Sequence, residues 1–184
     1  LPAPCFPEII MKVLGVVTEH EWEDLTDRAR NYLKWITVKA EAIDELAPQP
    51  LHTTTRGFEL LAIDRDGNSF GEIVERSQEL GIPSVLVRFA SLIATFLTVR
   101  LLRQQMERDR EVMPSLTFSQ NVDANYLNYP RTLKTLLELF PEYKEMFYFE
   151  INEEITEDYL TTIRALASDL GIRLALDDTN KMNI

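Results

Sequence analysis

The chain has 184 residues, of which 30 are acidic and 19 basic, so its formal net charge is -11. Hydrophobic residues make up 45% of the sequence, which disfavours disorder of the whole chain and suits one globular domain, with or without an appendage. A single cysteine excludes an internal disulfide framework and a thiolate zinc site, and the acidic balance argues against a DNA- or RNA-binding groove. An acidic protein that binds an anion usually does so through a metal ion.

The first third of the sequence predicts one helix and two short strands. Apolar residues spaced by three or four favour an amphipathic helix over His20–Lys34. Short apolar runs predict strands at Trp35–Val38 and Phe58–Ile63. The segment 47–56 is rich in proline and threonine and predicts a loop, and the sequence DRDGN at 64–68 is typical of a turn.

The middle of the sequence predicts two helices. The first covers Phe70–Leu80, and the second is long, running from about Val85 to about Val112. The most apolar part of the long helix, Val85–Leu102, is interrupted by Arg88 and Arg100. This pattern predicts a helix buried in the protein rather than a membrane span.

The remaining sequence alternates regularly between strand and helix patterns. Strands are predicted at Leu116–Ser119, Phe147–Ile151 and Ile172–Leu176, and helices at Arg131–Phe140 and Glu157–Leu170. Strands that alternate with helices are typical of βα units around a parallel sheet. The sequence therefore predicts an α/β fold.

Four of the predicted strands contain or end in an oxygen-bearing side chain. These residues are Glu59, Asn121, Glu150 and the pair Asp177 and Asp178. A carboxylate within an apolar strand is costly unless it is paired or bound to a metal, although one alone is most simply a solvent-facing edge residue. In a parallel βα barrel, successive strand ends converge on one face. The recurrence therefore predicts an all-oxygen site suited to Mg²⁺ or Mn²⁺.

The same strands carry a resemblance to EAL domains, which are cyclic-di-GMP phosphodiesterases. The sequence ELL at 59–61 is similar to the motif that names the family, and FSQNV at 118–122 resembles its strand with the metal-binding asparagine. FEINE at 149–153 resembles the Glu-Ile-Thr-Glu strand, and LGIRLALDD at 170–178 resembles the stretch that ends in Asp-Asp-Phe-Gly. The resemblance covers about residues 36–178, the first five strands of that barrel.

This resemblance implies a modified TIM barrel that opens cyclic-di-GMP to linear pGpG with two Mg²⁺ or Mn²⁺ ions. By match to the family, Glu59, Asn121, Glu150 and Asp177 would hold the first metal, and Asp178 would reach the second. In such a site the ions bind the scissile phosphate and activate a water molecule.

The sequence also departs from the family pattern. Ile63 stands where the family usually has an arginine that contacts a guanylate phosphate, and Glu41 lies near the place of an early substrate-contacting glutamine. Thr179 and Asn180 replace the Phe-Gly that follows the aspartate pair. The catalytic residues of the family's later strands, including its lysine, are expected beyond residue 184.

The predicted organisation is an N-terminal extension with one helix over residues 1–34 and an EAL-like (β/α) barrel over 35–184. The barrel is incomplete at its C-terminus, because about five of eight strands are accounted for. Such a sheet would expose a hydrophobic edge. Either the chain is a fragment of a longer protein, or the remaining strands come from elsewhere, such as another copy of the chain.

Three functional hypotheses remain open from the sequence. The first is a metal-dependent cyclic-di-GMP phosphodiesterase whose activity is impaired in this chain. The second is a catalytically inactive EAL-like sensor or scaffold that binds partners or nucleotide without turnover. The third is an unrelated βα protein with incidental strand-end carboxylates. The expected partners are cyclic-di-GMP or a related cyclic dinucleotide, together with a homodimer mate or a signalling domain, in the cytoplasm and without nucleic acid or membrane.

Overall fold

The structure, a computed structural model, describes residues 23–46, 53–109, 117–121, 129–140, 146–151 and 157–176. Its helices are α1 (Asp27–Lys34), α2 (Phe70–Glu79), α3 (Ser84–Asp109), α4 (Pro130–Leu139) and α5 (Glu157–Leu170). Its strands are β1 (Thr37–Leu46), β2 (Thr53–Ile63), β3 (Thr117–Asn121), β4 (Phe147–Ile151) and β5 (Arg173–Leu176). Helices and strands alternate from β2 onwards, which confirms the predicted α/β fold class.

The described strands form one five-stranded sheet in the order β1-β2-β3-β4-β5. β2, β3, β4 and β5 pair in parallel, as the βα pattern predicted. β1 instead pairs antiparallel with β2, from Thr37 opposite Ile63 to Leu46 opposite Thr53. The predicted first strand at Trp35–Val38 is therefore wrong at both ends, and the predicted loop at 47–56 is wrong for residues 53–56, whereas residues 47–52 lie outside the described residues. β-branched threonines favour strand conformation, and the pairing with β1 extends β2 back to Thr53.

The helix bounds agree with the sequence except at α1. The predicted helix began at His20, whereas α1 begins at Asp27 and the residues before 23 lie outside the described residues. The hydroxyl of Thr26 accepts a hydrogen bond from the backbone N–H of Ala29 at 3.1 Å, which is an N-cap. The cap fixes the start of α1 at this point, although the apolar spacing continues upstream.

α3 is the central core helix. Its 26 residues are long and apolar enough to cross a membrane by length and composition, but 67% of its most apolar stretch is buried within the protein. Phe89 and Phe96 have no exposed surface, as the prediction of a buried helix required. Phe96 stacks on Phe140, the C-cap residue that follows α4, with ring centroids 5.3 Å apart.

The sheet packs one face against these helices. Leu60, Phe118 and Phe149 point from β2, β3 and β4 into the same hydrophobic core as α3. Phe58 stacks on Phe118 across the two strands, with centroids 6.1 Å apart. Since successive side chains of a strand alternate between faces, the residues between these apolar positions lie on the opposite face.

A buried carboxylate joins α1 to the carboxyl end of β2. Asp64 is 3% exposed, and its oxygens accept hydrogen bonds from the Tyr32 hydroxyl (3.1 Å), the Asn68 amide (2.9 Å) and the backbone N–H groups of Asp66 (2.9 Å) and Asn68 (3.0 Å). Gly67 has φ +84°, a conformation that glycine tolerates, and closes this turn. Burial alone would raise the pKa of Asp64, but the hydrogen bonds, led by those from Asn68, hold this pKa below its usual value.

We expect Asp64→Ala to lower the free energy of unfolding by about 2–3 kcal/mol, because it leaves buried donors without an acceptor. The matched control is Asp66→Ala, which changes an exposed carboxylate of the same turn and should cost at most about 0.5 kcal/mol. Chemical denaturation near neutral pH measures both. Equal losses in the two variants would contradict the assigned role of Asp64.

The same carboxylate predicts a pH dependence, for which Asp64→Asn isolates the charge. Because the folded pKa of Asp64 lies below its unfolded value, about 3.9, the stabilisation is present above that value and is lost as pH falls through the folded pKa. The stability difference between the wild type and Asp64→Asn should therefore be constant near neutral pH and narrow on acidification below about pH 4. If the stability difference between the wild type and Asp64→Asn stayed constant down to about pH 2, the charge of Asp64 would not be the source of the stabilisation.

Candidate metal site

Polar and charged side chains occupy the sheet face opposite the helices. Strand register places them together, because directly paired residues of neighbouring strands point to the same side. We call this side the polar face and define it by Lys39, Glu41, Glu59, Ser119, Asn121, Tyr148, Glu150 and Arg173. Apolar residues are also present, among them Leu61 opposite Lys39 and Ile63 opposite Thr37.

The centre of the polar face holds three of the predicted metal ligands. The side-chain amide nitrogen of Asn121 donates a hydrogen bond to Oε1 of Glu59 at 2.8 Å, although the residues are 62 positions apart. Asn121 on β3 is paired directly with Glu150 on β4. Thus Glu59, Asn121 and Glu150 lie on adjoining strands and on one face.

The other two predicted ligands fall outside the described residues. Asp177 and Asp178 follow β5, whose Ala175 is paired with Glu150. Within the described ranges, no group of three or more histidine, cysteine, aspartate or glutamate side chains is arranged to hold a metal ion. The complete five-residue ligand set therefore stays a prediction.

The donor chemistry of the three described residues fits a hard divalent cation. Glu59 and Glu150 offer carboxylate oxygens, and the hydrogen bond to Glu59 uses the amide nitrogen of Asn121, which leaves its carbonyl oxygen as the ligand atom. Oxygen ligands of this kind suit Mg²⁺ and Mn²⁺. Glu59 and Glu150 are each partly exposed, so solvent ions can reach both carboxylates.

Two residues of β1 add charge to this centre. Glu41 is paired directly with Glu59, and like charges in that position repel each other unless a cation lies between them or nearby. Lys39 lies two residues away on the same face, and its ammonium group contacts Glu41 at 2.6 Å. Lys39 was not among the predicted site residues, because the first strand was predicted to end at Val38. The alternation of charged and apolar residues after Val38 was the signal that could have found it.

The end of β2 differs from the family pattern in its charge. Ile63 lies on the same face as Glu59 and is partly buried, so an aliphatic side chain faces the position where the resemblance implies an arginine. The next basic residue, Arg65, lies in the turn, with its guanidinium carbon 5.6 Å from the ring centroid of Trp35. Arg65 therefore sits beside the segment that precedes β1.

Three further polar residues continue across the sheet from Glu59. Ser119 is paired with both Glu59 and Tyr148, and Tyr148 is paired with Arg173. Arg173 donates a hydrogen bond to the Tyr148 hydroxyl at 3.0 Å and lies over its ring. Ser119 is 5% exposed, and its hydroxyl has no hydrogen-bond partner among the described residues. A buried orphan hydroxyl beside Glu59 is an additional donor facing the centre of the site.

Comparison with known proteins identifies the fold. No protein-family model matches the sequence, and no curated protein does. The chain is similar to the solved structure of the EAL enzyme Bd1971 in its cAMP- and cyclic-di-GMP-bound form, with a TM-score of 0.58 and 16% identity over 82% of this chain and 42% of that chain. It is also similar to Klebsiella pneumoniae BlrP1 in complex with manganese and cyclic-di-GMP, with a TM-score of 0.52 and 16% identity over 87% of this chain and 42% of that chain.

The fold is thus that of EAL domains, which confirms the resemblance seen in the strand motifs. The chain spans about two fifths of the length of the two solved chains (42% of each). At 16% identity the similarity establishes the architecture and leaves the chemistry to the residues of this chain.

We expect Mn²⁺ to stabilise the chain through the polar face. At ten times its dissociation constant, the ion should add about 1.4 kcal/mol and raise the melting temperature by about 3–5 °C. Glu59→Gln and Glu150→Gln should each remove most of this shift, because the charge is lost while size is kept. Glu138→Gln on the exposed face of α4 is the matched control. An unchanged shift in both site variants would place the ion elsewhere.

Proposed function

We propose that the chain is an EAL-type domain of the metal-dependent cyclic-di-GMP phosphodiesterase class, acting in the cytoplasm. The observation that carries the proposal is the contact between Glu59 and Asn121, with Glu150 in register beside them. In this reading the polar face binds a phosphodiester of the cyclic dinucleotide through a divalent cation. The hydrolytic product of the class is linear pGpG.

Each residue of the centre has a distinct role in the proposal. Glu59, Asn121 and Glu150 hold the first ion, with Asp177 as a further ligand and Asp178 directed to a second ion. When bound, such ions neutralise phosphate charge and lower the pKa of a coordinated water. The hydrogen bond from Asn121 orients the Glu59 carboxylate, as partners of ligand side chains commonly do.

Lys39 provides the cationic contact that position 63 lacks. Its side chain is half exposed and lies on the same face as Glu59. Lys39 is two residues along β1 from Glu41, which is paired with Glu59. A lysine acts as a compact positive charge that can bind phosphate. The ion pair with Glu41 keeps this charge near the centre in the absence of phosphate.

One observation favours a second candidate, an inactive sensor or scaffold. Ile63 cannot form a charge-assisted hydrogen bond to a phosphate, so the ligand is held less firmly at this point. Binding then depends on the metal and on Lys39. A domain of this kind binds the dinucleotide or a partner domain without turning the nucleotide over.

We expect calorimetry to show a binding site for cyclic-di-GMP that needs Mn²⁺, and that is lost when EDTA removes the ion or Glu59→Gln removes a ligand. Ile63→Arg should tighten binding by about tenfold, because it restores a bidentate donor at the phosphate. Ile63→Met, of similar size without charge, should leave the affinity near that of the wild type. Mn²⁺-dependent binding that Glu59→Gln leaves unchanged, or an Ile63→Arg variant no tighter than Ile63→Met, would contradict this assignment.

We expect the 184-residue chain to form little or no pGpG from cyclic-di-GMP, even with Mn²⁺. In-line attack needs a water held and deprotonated by a correctly placed base, and the family assigns that task to strands beyond the matched segments. Chromatography of the incubated nucleotide measures the product. If the chain formed pGpG rapidly and Glu59→Ala abolished this activity, the expectation of impaired catalysis would be wrong, and the result would favour an active phosphodiesterase.

A further inference from the structure

A cavity lies between α1, the turn at residues 64–68 and α2. It has a volume of about 360 Å³ and is lined by residues that include Arg28, Arg65, Arg76 and Trp35. None of the described polar-face residues lines it. The cavity is therefore separate from the candidate metal site. β2 connects the two, because it carries Glu59 and is followed by the turn that lines the cavity.

Three arginines and two aspartates line the cavity, so its lining carries a small positive charge in a chain whose net charge is -11. Arg76 is paired with Glu79, but Arg28 and Arg65 form no ion pair within the part of the chain that the structure describes. The Asp64 carboxylate, which also lines the cavity, is already bound by donors from Tyr32, Asp66 and Asn68. Two arginines on different elements thus line one concave surface, together with the carboxylates of Asp64 and Asp66.

An exposed aromatic ring forms another wall of the cavity. Trp35 is 51% exposed, whereas the large aromatic residues of the core are buried. The guanidinium carbon of Arg65 lies 5.6 Å from the centroid of its ring. Because Arg65 lies over one face of the indole, a planar ring can stack on the other face, and the neighbouring positive charge attracts an anion.

We propose that this cavity binds a planar ring that carries a phosphate, of the size of a nucleoside monophosphate. The ring stacks on Trp35, and the phosphate is bound between Arg28 and Arg65, since guanidinium groups bind phosphate through paired hydrogen bonds. The volume of about 360 Å³ lies within the usual range of small-molecule pockets. The carboxylate of Asp66 can accept the two N–H groups of a guanine edge, so GMP is the probe of choice.

The test uses the fluorescence of Trp35 in the full chain. Trp22→Phe removes the second of the two tryptophans, so that the signal reports on Trp35 alone. GMP is titrated in EDTA, with guanosine and inorganic phosphate titrated separately. We expect saturable quenching by GMP, at least about tenfold tighter than by guanosine or phosphate, and weaker at high salt.

Variants of the two arginines identify the site. Arg65→Gln and Arg28→Gln, on different elements, should each weaken GMP binding by about tenfold, because each removes a charged phosphate contact. Arg103→Gln, which breaks an exposed pair with Glu107 on α3, is the matched control and should bind as the parent does. Circular dichroism identifies any variant that fails to fold, and the other arginine variant then carries the test.

Several results would overturn this proposal. These are the absence of saturable quenching up to millimolar GMP, and equal affinity in the Arg65→Gln, Arg28→Gln and Arg103→Gln variants. Quenching that needs Mn²⁺ and is lost in Glu59→Ala would place GMP in the metal site instead. Because the titration is done in EDTA, a failure of the proposed metal-dependent function leaves this result unaffected.

Discussion

The packing of one sheet face against α3 is the constraint on which the rest of the structure depends. Leu60, Phe118 and Phe149 must point into the core that α3 fills, and this fixes the orientation of β2, β3 and β4. A shift of any strand by one residue would turn its apolar side chains away from the helix and its carboxylate into the core. The position of Glu59 beside Asn121 thus follows from hydrophobic burial on the other side of the sheet.

The C-terminal half of the fold could be predicted from the sequence because each element there is a local pattern. β4 coincides with the predicted Phe147–Ile151, and α5 coincides with Glu157–Leu170, since apolar runs and helical spacing end at clear boundaries. The β1–β2 hairpin could not be predicted in this way. Its pairing joins Thr37 to Ile63 across 26 positions, and the strand-forming threonines lie next to prolines that suggested a loop.

The candidate site was predictable in its residue types but not in its full geometry. Polar residues recurring along apolar strands indicated Glu59, Asn121 and Glu150, and the structure brings these three onto one face. Lys39 escaped notice because its importance comes from pairing with β2, which no local pattern reveals. The cavity beside Trp35 depends on three separate elements, and only tertiary packing shows that their arginines line the same cavity.

The antiparallel direction of β1 has a consequence for how motion could reach the centre. Because β1 starts opposite the carboxyl end of β2, α1 stands at the same rim as Ile63, which is four residues from Glu59. In an all-parallel barrel the chain would enter at the far rim. Here the hydrogen bond between Tyr32 and Asp64 couples α1 to that rim directly. A displacement of α1 would therefore act first on Asp64, the residue that directly follows β2.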